Sequence, residues 1–314
     1  MTSNFRRSFV LPVVAAAVAV VGCNGKLGGT SQGAGGGNTG GDGTTTVAGT
    51  GGSLTTSGGP TTATSTGSTA SSGTGLPAGP SSTRLTMRPI GTVPNAPLGY
   101  QEYLPPGYGD GAKRPLLLFH HGIGESGDGS ASQLPKVLDT GLTALIKNDK
   151  WPDSRPFIIL APQHDAPPNT SCHTSEEIDS FAKFAVAHYD VDPTRVYLTG
   201  LSCGAIGSWN YLGDHTNELF AAAVLISGDG KGAFSHAGCN LGRIPIWAFH
   251  GDMDPTVNDS GSIQPITDLN ACTNPKAVDA ELTLYPGVGH DAWDRTYDLT
   301  AGHDIYTWML GYTH

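Results

Sequence analysis

Short apolar runs bounded by turn residues recur through the last two-thirds of the chain, and amphipathic stretches separate them. Leu98 to Leu104, Pro115 to Phe119 (PLLLF), Phe157 to Leu160 (FIIL), Arg195 to Leu198 (RVYL), Phe220 to Ile226, Ile244 to Phe249 (IPIWAF) and Leu282 to Tyr285 read as strands. PLLLF, FIIL and IPIWAF are almost continuously apolar, as strands covered on both faces must be. Thr174 to Tyr189 reads as a helix: Thr174 and Glu177 form a capping-box pattern, and Ile178, Phe181, Phe184 and Ala185 fall on one face. Further helices are expected over Leu138 to Lys147, after Ser202, and from Asp304 to Gly311, with Pro193 marking a helix-to-strand turn. Alternating strands and helices predict the α/β class, a mostly parallel central sheet with helices on both faces.

The N-terminal quarter has no such pattern. Residues 1–23 carry Arg6 and Arg7, then an apolar run too short to span a bilayer, then Val20-Val21-Gly22-Cys23. This is the form of an export signal, and its end resembles a lipobox, which marks Cys23 as a lipidation site and the new N-terminus. Arg6-Arg7-Ser8-Phe9 also resembles a twin-arginine signal, so the export route stays open. In residues 24–83, 43 of 60 positions are Gly, Ser or Thr, too little apolar surface to offset chain entropy. A Gly-rich coil of that length spans roughly 40 Å. It reads as a disordered tether that holds residues 84–314, the expected folded domain, away from a lipid surface, periplasmic or on the cell exterior. Without lipidation the protein would be secreted.

Residues 84–314 hold 14 Lys and Arg against 26 Asp and Glu, a formal charge of −12, which disfavours nucleic acid as a partner. Four cysteines in an exported domain, Cys172, Cys203, Cys239 and Cys272, make disulfides plausible. With no CxxC pair or HExxH motif there is no support for a metal site, and His120 and His121 read as structural.

The candidate chemistry starts at Gly200-Leu201-Ser202-Cys203-Gly204, which follows the RVYL strand and precedes a helical run. G-x-S-x-G in that context makes a nucleophile elbow, where small residues let strand and helix approach around a strained turn. Gly29 to Gly33 matches the same pattern without strand or helix, so context singles out Ser202. A serine needs a base and an acid downstream. Strand ends supply them in His250-Gly251-Asp252-Met253-Asp254 and in Gly287-Val288-Gly289-His290-Asp291. His290 is the candidate base, with Asp252, Asp254 and Asp291 as candidate acids. The loop His121-Gly122-Ile123 after PLLLF can present the N–H of Ile123 to an oxyanion, with the N–H of Cys203 as second donor. His250 is expected to pack beneath the acid loop, and Trp293 either lines the cleft or joins the core.

The segments FHHGIGESGDG, VDPTRVYLTGLSCGAIGSW, PIWAFHGDMDPTV and LYPGVGHDAWDRTYD resemble the polyhydroxybutyrate-depolymerase, feruloyl-esterase (carbohydrate esterase family 1) and dienelactone-hydrolase-like branch of the α/β-hydrolase superfamily, over residues 90 to 314. The resemblance implies a Ser202, Asp254, His290 triad, Ile123 and Cys203 as oxyanion donors, and Asp254 rather than Asp252 as the acid. It also implies a Cys239–Cys272 disulfide, which leaves Cys172 and Cys203 for each other. Ala205 departs from the family, many of whose members carry glycine there. Dienelactone hydrolases proper use cysteine at the elbow, where this chain has Ser202, so Cys203 is expected to be a disulfide or core residue. The function so implied is a serine carboxylic-ester hydrolase of feruloyl or acetyl esterase or polyester-depolymerase type, acting through an acyl-enzyme on a small or polymeric ester, with no cofactor. Alternatives are a peptidase or small-ester esterase on the same residues, and a non-catalytic surface-binding lipoprotein.

Overall fold

The computed structural model describes residues 75–216 and 219–314. The expected signal segment, Cys23 and residues 24–74 of the expected tether lie outside the described residues. In chain order the elements are β1 (Leu85–Arg88), β2 (Tyr100–Tyr103), β3 (Arg114–His120), α1 (Gly141–Lys147), β4 (Ile158–Pro162), α2 (Ser175–His188), β5 (Val191–Leu201), α3 (Cys203–Asp214), β6 (Ala222–Ile226), α4 (Lys231–Ala237), β7 (Ile246–Gly251), α5 (Ser260–Ala271), β8 (Ala280–Tyr285), α6 (Trp293–Tyr297) and α7 (Ile305–Leu310).

Among the described residues eight strands form one sheet in the order β1-β2-β4-β3-β5-β6-β7-β8. β2 runs antiparallel to β1 and to β4, and all other neighbours are parallel. Successive side chains of the inner strands divide between two cores, as strand geometry requires. Leu116 and Leu118 of β3, Ile158 and Leu160 of β4 and Leu225 of β6 join α2, α3 and α5 through Phe181, Trp209 and Leu269. Leu117 and Phe119, Ile159, and Val224 and Ile226 face α1, α6 and α7 through Ile146, Tyr297 and Met309. The sheet is therefore a double-sided partition.

From β3 the chain crosses to β4 on one side and then to β5 on the other. That reversal leaves a crevice at the carboxyl ends of β3 and β5, where such sheets gather reactive groups.

Three details differ from the pattern-based expectation. Folded structure begins before Arg84: Leu76 exchanges backbone hydrogen bonds with Tyr108 and Gly107 at 2.9 and 2.8 Å. Buried Ser81 donates to the Ile146 carbonyl at 2.8 Å, so residues 75–83 belong to the domain and not to the tether. Pro193 lies within β5, where the register against β3 jumps from Arg114↔Val191 to Leu116↔Val196; a proline is tolerated in such a bulge because no ladder bond is lost. β1, α4, α5 and α6 carry too weak a periodicity to be read beforehand, α5 also enclosing Pro265.

Cys172 pairs with Cys203, and Cys239 with Cys272. The second bond ties the end of α5 to the segment before β7 across a separation of 33 residues. Replacing both Cys239 and Cys272 with Ser should cost about 3–4 kcal/mol of unfolding free energy by the loop-entropy relation. Urea unfolding of the oxidised wild type and the double variant measures it, and a loss below about 1 kcal/mol would contradict the expectation.

Candidate active site

Ser202 stands between the last residue of β5 and the first of α3 with φ 51° and ψ −119°. Its N–H bonds the Ile226 carbonyl at 2.9 Å, which fixes the turn to the neighbouring strand. The flanking glycines have steric causes. A Cβ on Gly200 would lie 2.7 Å from the Gly204 carbonyl, and one on Gly204 would lie 2.1 Å from the His120 carbonyl. Any side chain at either position would push α3 off the sheet and move the serine.

Ser202 Oγ lies 2.8 Å from His290 Nε2, and His290 Nδ1 lies 2.7 Å from Asp254 Oδ2. Asp254 lies in the loop between β7 and α5, and His290 follows β8 by way of the turn at Gly287. The loop of His290 is held in turn by Ser227, which donates to the His290 carbonyl at 2.9 Å. Since a carboxylate oxygen accepts, Nδ1 carries the proton and Nε2 presents its lone pair to the serine hydroxyl.

Asp254 has a fully buried side chain and would be costly to ionise alone. Four donors meet it: Oδ2 accepts from His290 Nδ1 and from His250 Nε2 at 3.2 Å, and Oδ1 from the N–H groups of Thr256 and Val257 at 2.8 and 3.0 Å. Burial pushes its pKa up, but the His290 hydrogen bond and the two amides outweigh burial and hold it below the ordinary carboxylate value. His250 is also fixed in its tautomer. Its Nε2–H is shared between Asp254 and the Val257 carbonyl at 3.0 Å, so Nδ1 accepts from Ser262 Oγ at 2.7 Å. The other two candidate acids serve turns: Asp252 accepts from the Gly287 N–H at 2.7 Å and Asp291 from the Asp294 N–H at 3.3 Å.

Ile123 opens a single 3₁₀ turn, Ile123–Glu125, directly after β3. The neighbouring Gly122 is so close to the elbow that a Cβ there would come within 3.9 Å of Ser202 Cβ. Cys203 is the first residue of α3, so its N–H is among the amides that have no acceptor within the helix. Its sulfur, turned into the disulfide with Cys172, leaves only the backbone facing Ser202. Trp293 sets its ring edge-on to His290 at a centroid distance of 5.1 Å. It packs partly buried against the core and also lines a cleft of about 350 Å³ with Asp139, Thr140, Lys150, Asp291 and Asp294, a cleft that Ser202 and His290 do not line. Ser227, Ser262 and the Thr256 and Val257 amides escaped the sequence reading, because nothing in a lone serine or a backbone amide announces its partner. Among the described residues no group of three or more His, Cys, Asp or Glu side chains is placed to hold a metal ion.

At and just after the end of β3, buried His120 and His121 each pack against the ring of buried His173, at centroid distances of 4.7 and 4.5 Å. His120 Nδ1 donates to Ser208 Oγ at 3.0 Å, because that hydroxyl already donates to the Gly204 carbonyl at 2.7 Å. His121 Nδ1 donates to the Gly122 carbonyl at 2.6 Å, and its Nε2 accepts the His164 N–H at 2.9 Å. That acceptor role demands a neutral ring.

Burial first, and then the neighbouring histidines, lower the pKa values of His120 to about 3 and His173 well below 6.5; burial lowers His121 to about 4. His164 and Glu177 are the other titratable groups facing them. Unfolded histidines protonate near pH 6.5, so below that the unfolded state binds more protons and stability falls with pH. Three such groups predict a slope of up to about 4 kcal/mol per pH unit between pH 6 and 4. Urea midpoints measured from pH 8 to 4 test this, and a flat profile down to pH 4.5 would contradict it.

By sequence the chain matches no family model and no curated protein. Among solved structures it is similar to a thermostable esterase, with 23% identity and a TM-score of 0.55 over 74% of this chain. It spans 64% of that chain, under two-thirds of its length. A feruloyl esterase module from Clostridium thermocellum, solved as its S954A mutant with sinapinate, has 16% identity and a TM-score of 0.52 over 76% of this chain and 94% of its own. Sheet order, elbow and these likenesses together establish that the chain has the α/β-hydrolase fold.

Proposed function

We propose that the chain is an exported serine hydrolase of carboxylic esters. The observation that carries this reading is the hydrogen-bonded line from Ser202 through His290 to Asp254, with the serine on a strained turn. In the reaction Ser202 Oγ attacks the ester carbonyl while His290 Nε2 takes its proton. Asp254 holds the imidazole in the correct tautomer and offsets its developing charge. The tetrahedral oxyanion meets the N–H groups of Ile123 and Cys203, each such donor contributing roughly 3 kcal/mol to the barrier reduction. The alcohol leaves with the proton from His290, and water then deacylates Ser202 with the same base. No step calls for a cofactor.

For substrate we propose feruloyl or acetyl esters of a polymer, or a polyester. Support comes from the fold shared with the feruloyl esterase module, from the aromatic edge that Trp293 sets beside His290, and from the reach of the Gly, Ser and Thr tether. The lipobox-like Val20 to Cys23 supports anchoring by acylation of Cys23.

On p-nitrophenyl acetate, Ser202→Ala should lower kcat/KM by at least about 10⁴-fold and Asp254→Asn by roughly 10³–10⁴-fold. The Cys172→Ala, Cys203→Ala pair should stay within about tenfold of wild type while losing about 3 kcal/mol of stability. Wild-type protein that takes no fluorophosphonate on Ser202 would overturn the enzyme reading, and esterase activity confined to small aryl esters would overturn the polymer reading. In cells fed labelled palmitate, the wild type should incorporate the label and Cys23→Ala should not.

A further inference from the structure

The loop between β4 and α2 carries a second serine–histidine–carboxylate line. Ser171 Oγ lies 2.9 Å from His164 Nε2, and His164 Nδ1 lies 2.9 and 3.0 Å from the two oxygens of Glu177. The carboxylate is fixed much as Asp254 is. Glu177 Oε2 accepts the Thr174 N–H at 2.9 Å and the Thr174 hydroxyl at 3.0 Å, and Oε1 accepts the Asp165 N–H at 3.2 Å. Burial alone would raise its pKa, but the His164 hydrogen bond and those amides lower it to about 2, so Glu177 is ionised at neutral pH.

An ionised carboxylate only accepts, which places the His164 proton on Nδ1 and leaves the Nε2 lone pair facing the Ser171 hydroxyl. His164 is buried, 3% exposed, whereas Ser171 is exposed, so the hydroxyl is open to a reagent while its base is shielded. The loop is held still: Asn169 N–H bonds the Ile123 carbonyl at 3.2 Å, His164 N–H bonds His121, and Cys172 is joined to Cys203.

We propose that Ser171 is a second activated nucleophile, with His164 as its base and Glu177 as the orienting acid, that accepts acyl or phosphonyl groups from activated esters independently of Ser202. With a fluorophosphonate, the Ser171 Oγ–phosphorus bond forms as the phosphorus–fluorine bond breaks. Fluoride departs with the electron pair, and the hydroxyl proton ends on His164 Nε2, giving an imidazolium paired with Glu177. With an aryl acetate the acyl carbon takes the place of phosphorus, and the phenolate leaves with the proton. Ser171 precedes α2 by several residues and does not sit at the helix start, so it lacks the helix-start amide that follows Ser202. Absence of one such donor costs about 10²–10³-fold in rate, so Ser171 is the slower of the two.

The test uses the full chain carrying Ser202→Ala, treated with a fluorophosphonate probe and mapped by peptide mass spectrometry. The expected result is an adduct on Ser171 that forms at least about 10²-fold more slowly than the adduct on Ser202 in the wild type, and is lost in Ser202→Ala with Ser171→Ala. Adding His164→Gln, or Glu177→Gln, which keeps the capping-box geometry of α2, should slow labelling of Ser171 at least tenfold. No adduct on Ser171, or one whose rate neither substitution changes in protein shown to be folded by circular dichroism, would overturn the proposal. Because the assay is run without Ser202, its failure is separate from failure of the esterase reading.

Discussion

The reactive arrangement depends on one backbone distortion. A residue other than glycine at φ 51° costs of order 1–3 kcal/mol, and Ser202 is held there by what surrounds it. Its N–H is committed to β6, and α3 packs against the carbonyls of His120 and His121 so closely that Gly204 has no room for a Cβ. The distortion serves two geometrical ends at once. It sets the hydroxyl 2.8 Å from His290 Nε2, and it starts α3 at the very next residue, whose N–H has no acceptor within the helix. A relaxed turn would satisfy neither, so the sheet and helix on both sides act as a clamp.

Charge at the carboxyl ends of the strands is sorted by the same logic of burial. Asp254 stays ionised out of water because four hydrogen-bond donors converge on it, and one of them, His250, is locked by Ser262. At the end of β3 and in the loop before α2, His120, His121 and His173 are also buried, but they are assembled as neutral rings. His121 shows why that matters for the site, since it donates to Gly122 on one side and accepts from His164 on the other. A second proton would set N–H against N–H and loosen the loop that carries Ile123. The carboxylate that must be charged and the rings that must be neutral are thus each defined by their partners and not by exposure.

Much of this was legible in the chain. Near-continuous apolar strands such as PLLLF and IPIWAF are visible because burial on both faces removes any polar alternation, and the α2 capping box has both halves in the observed structure. Ser202, Asp254 and His290 stand out because each sits just beyond a strand. What stayed hidden depends on contacts between distant residues. β1 is half-exposed at a sheet edge, and α4 to α6 carry little apolar stripe. Ser227 and Ser262 look like any turn or helix serine until their partners are in place. Residues 75–83 are still rich in Gly and Ser, and it is their contacts with Tyr108 and Ile146 that place them in the folded domain.

The loop from Gln163 to Ser175 joins these threads. It touches the proposed oxyanion side of the site through the Asn169 to Ile123 bond, the His164 to His121 bond and the Cys172–Cys203 disulfide. Three ties from one loop to the elements that flank Ser202 make it part of the frame and not a lid. Around the Asn169 tie, which uses only a backbone N–H, residues 167–170 are exposed. The exposed side chains of Pro167, Pro168 and Thr170 can change without disturbing the clamp around Ser202, whereas Asn169 is held at φ 64°. The fold therefore separates the residues that set reactivity, fixed by backbone strain and buried hydrogen bonds, from those that can tune what approaches them.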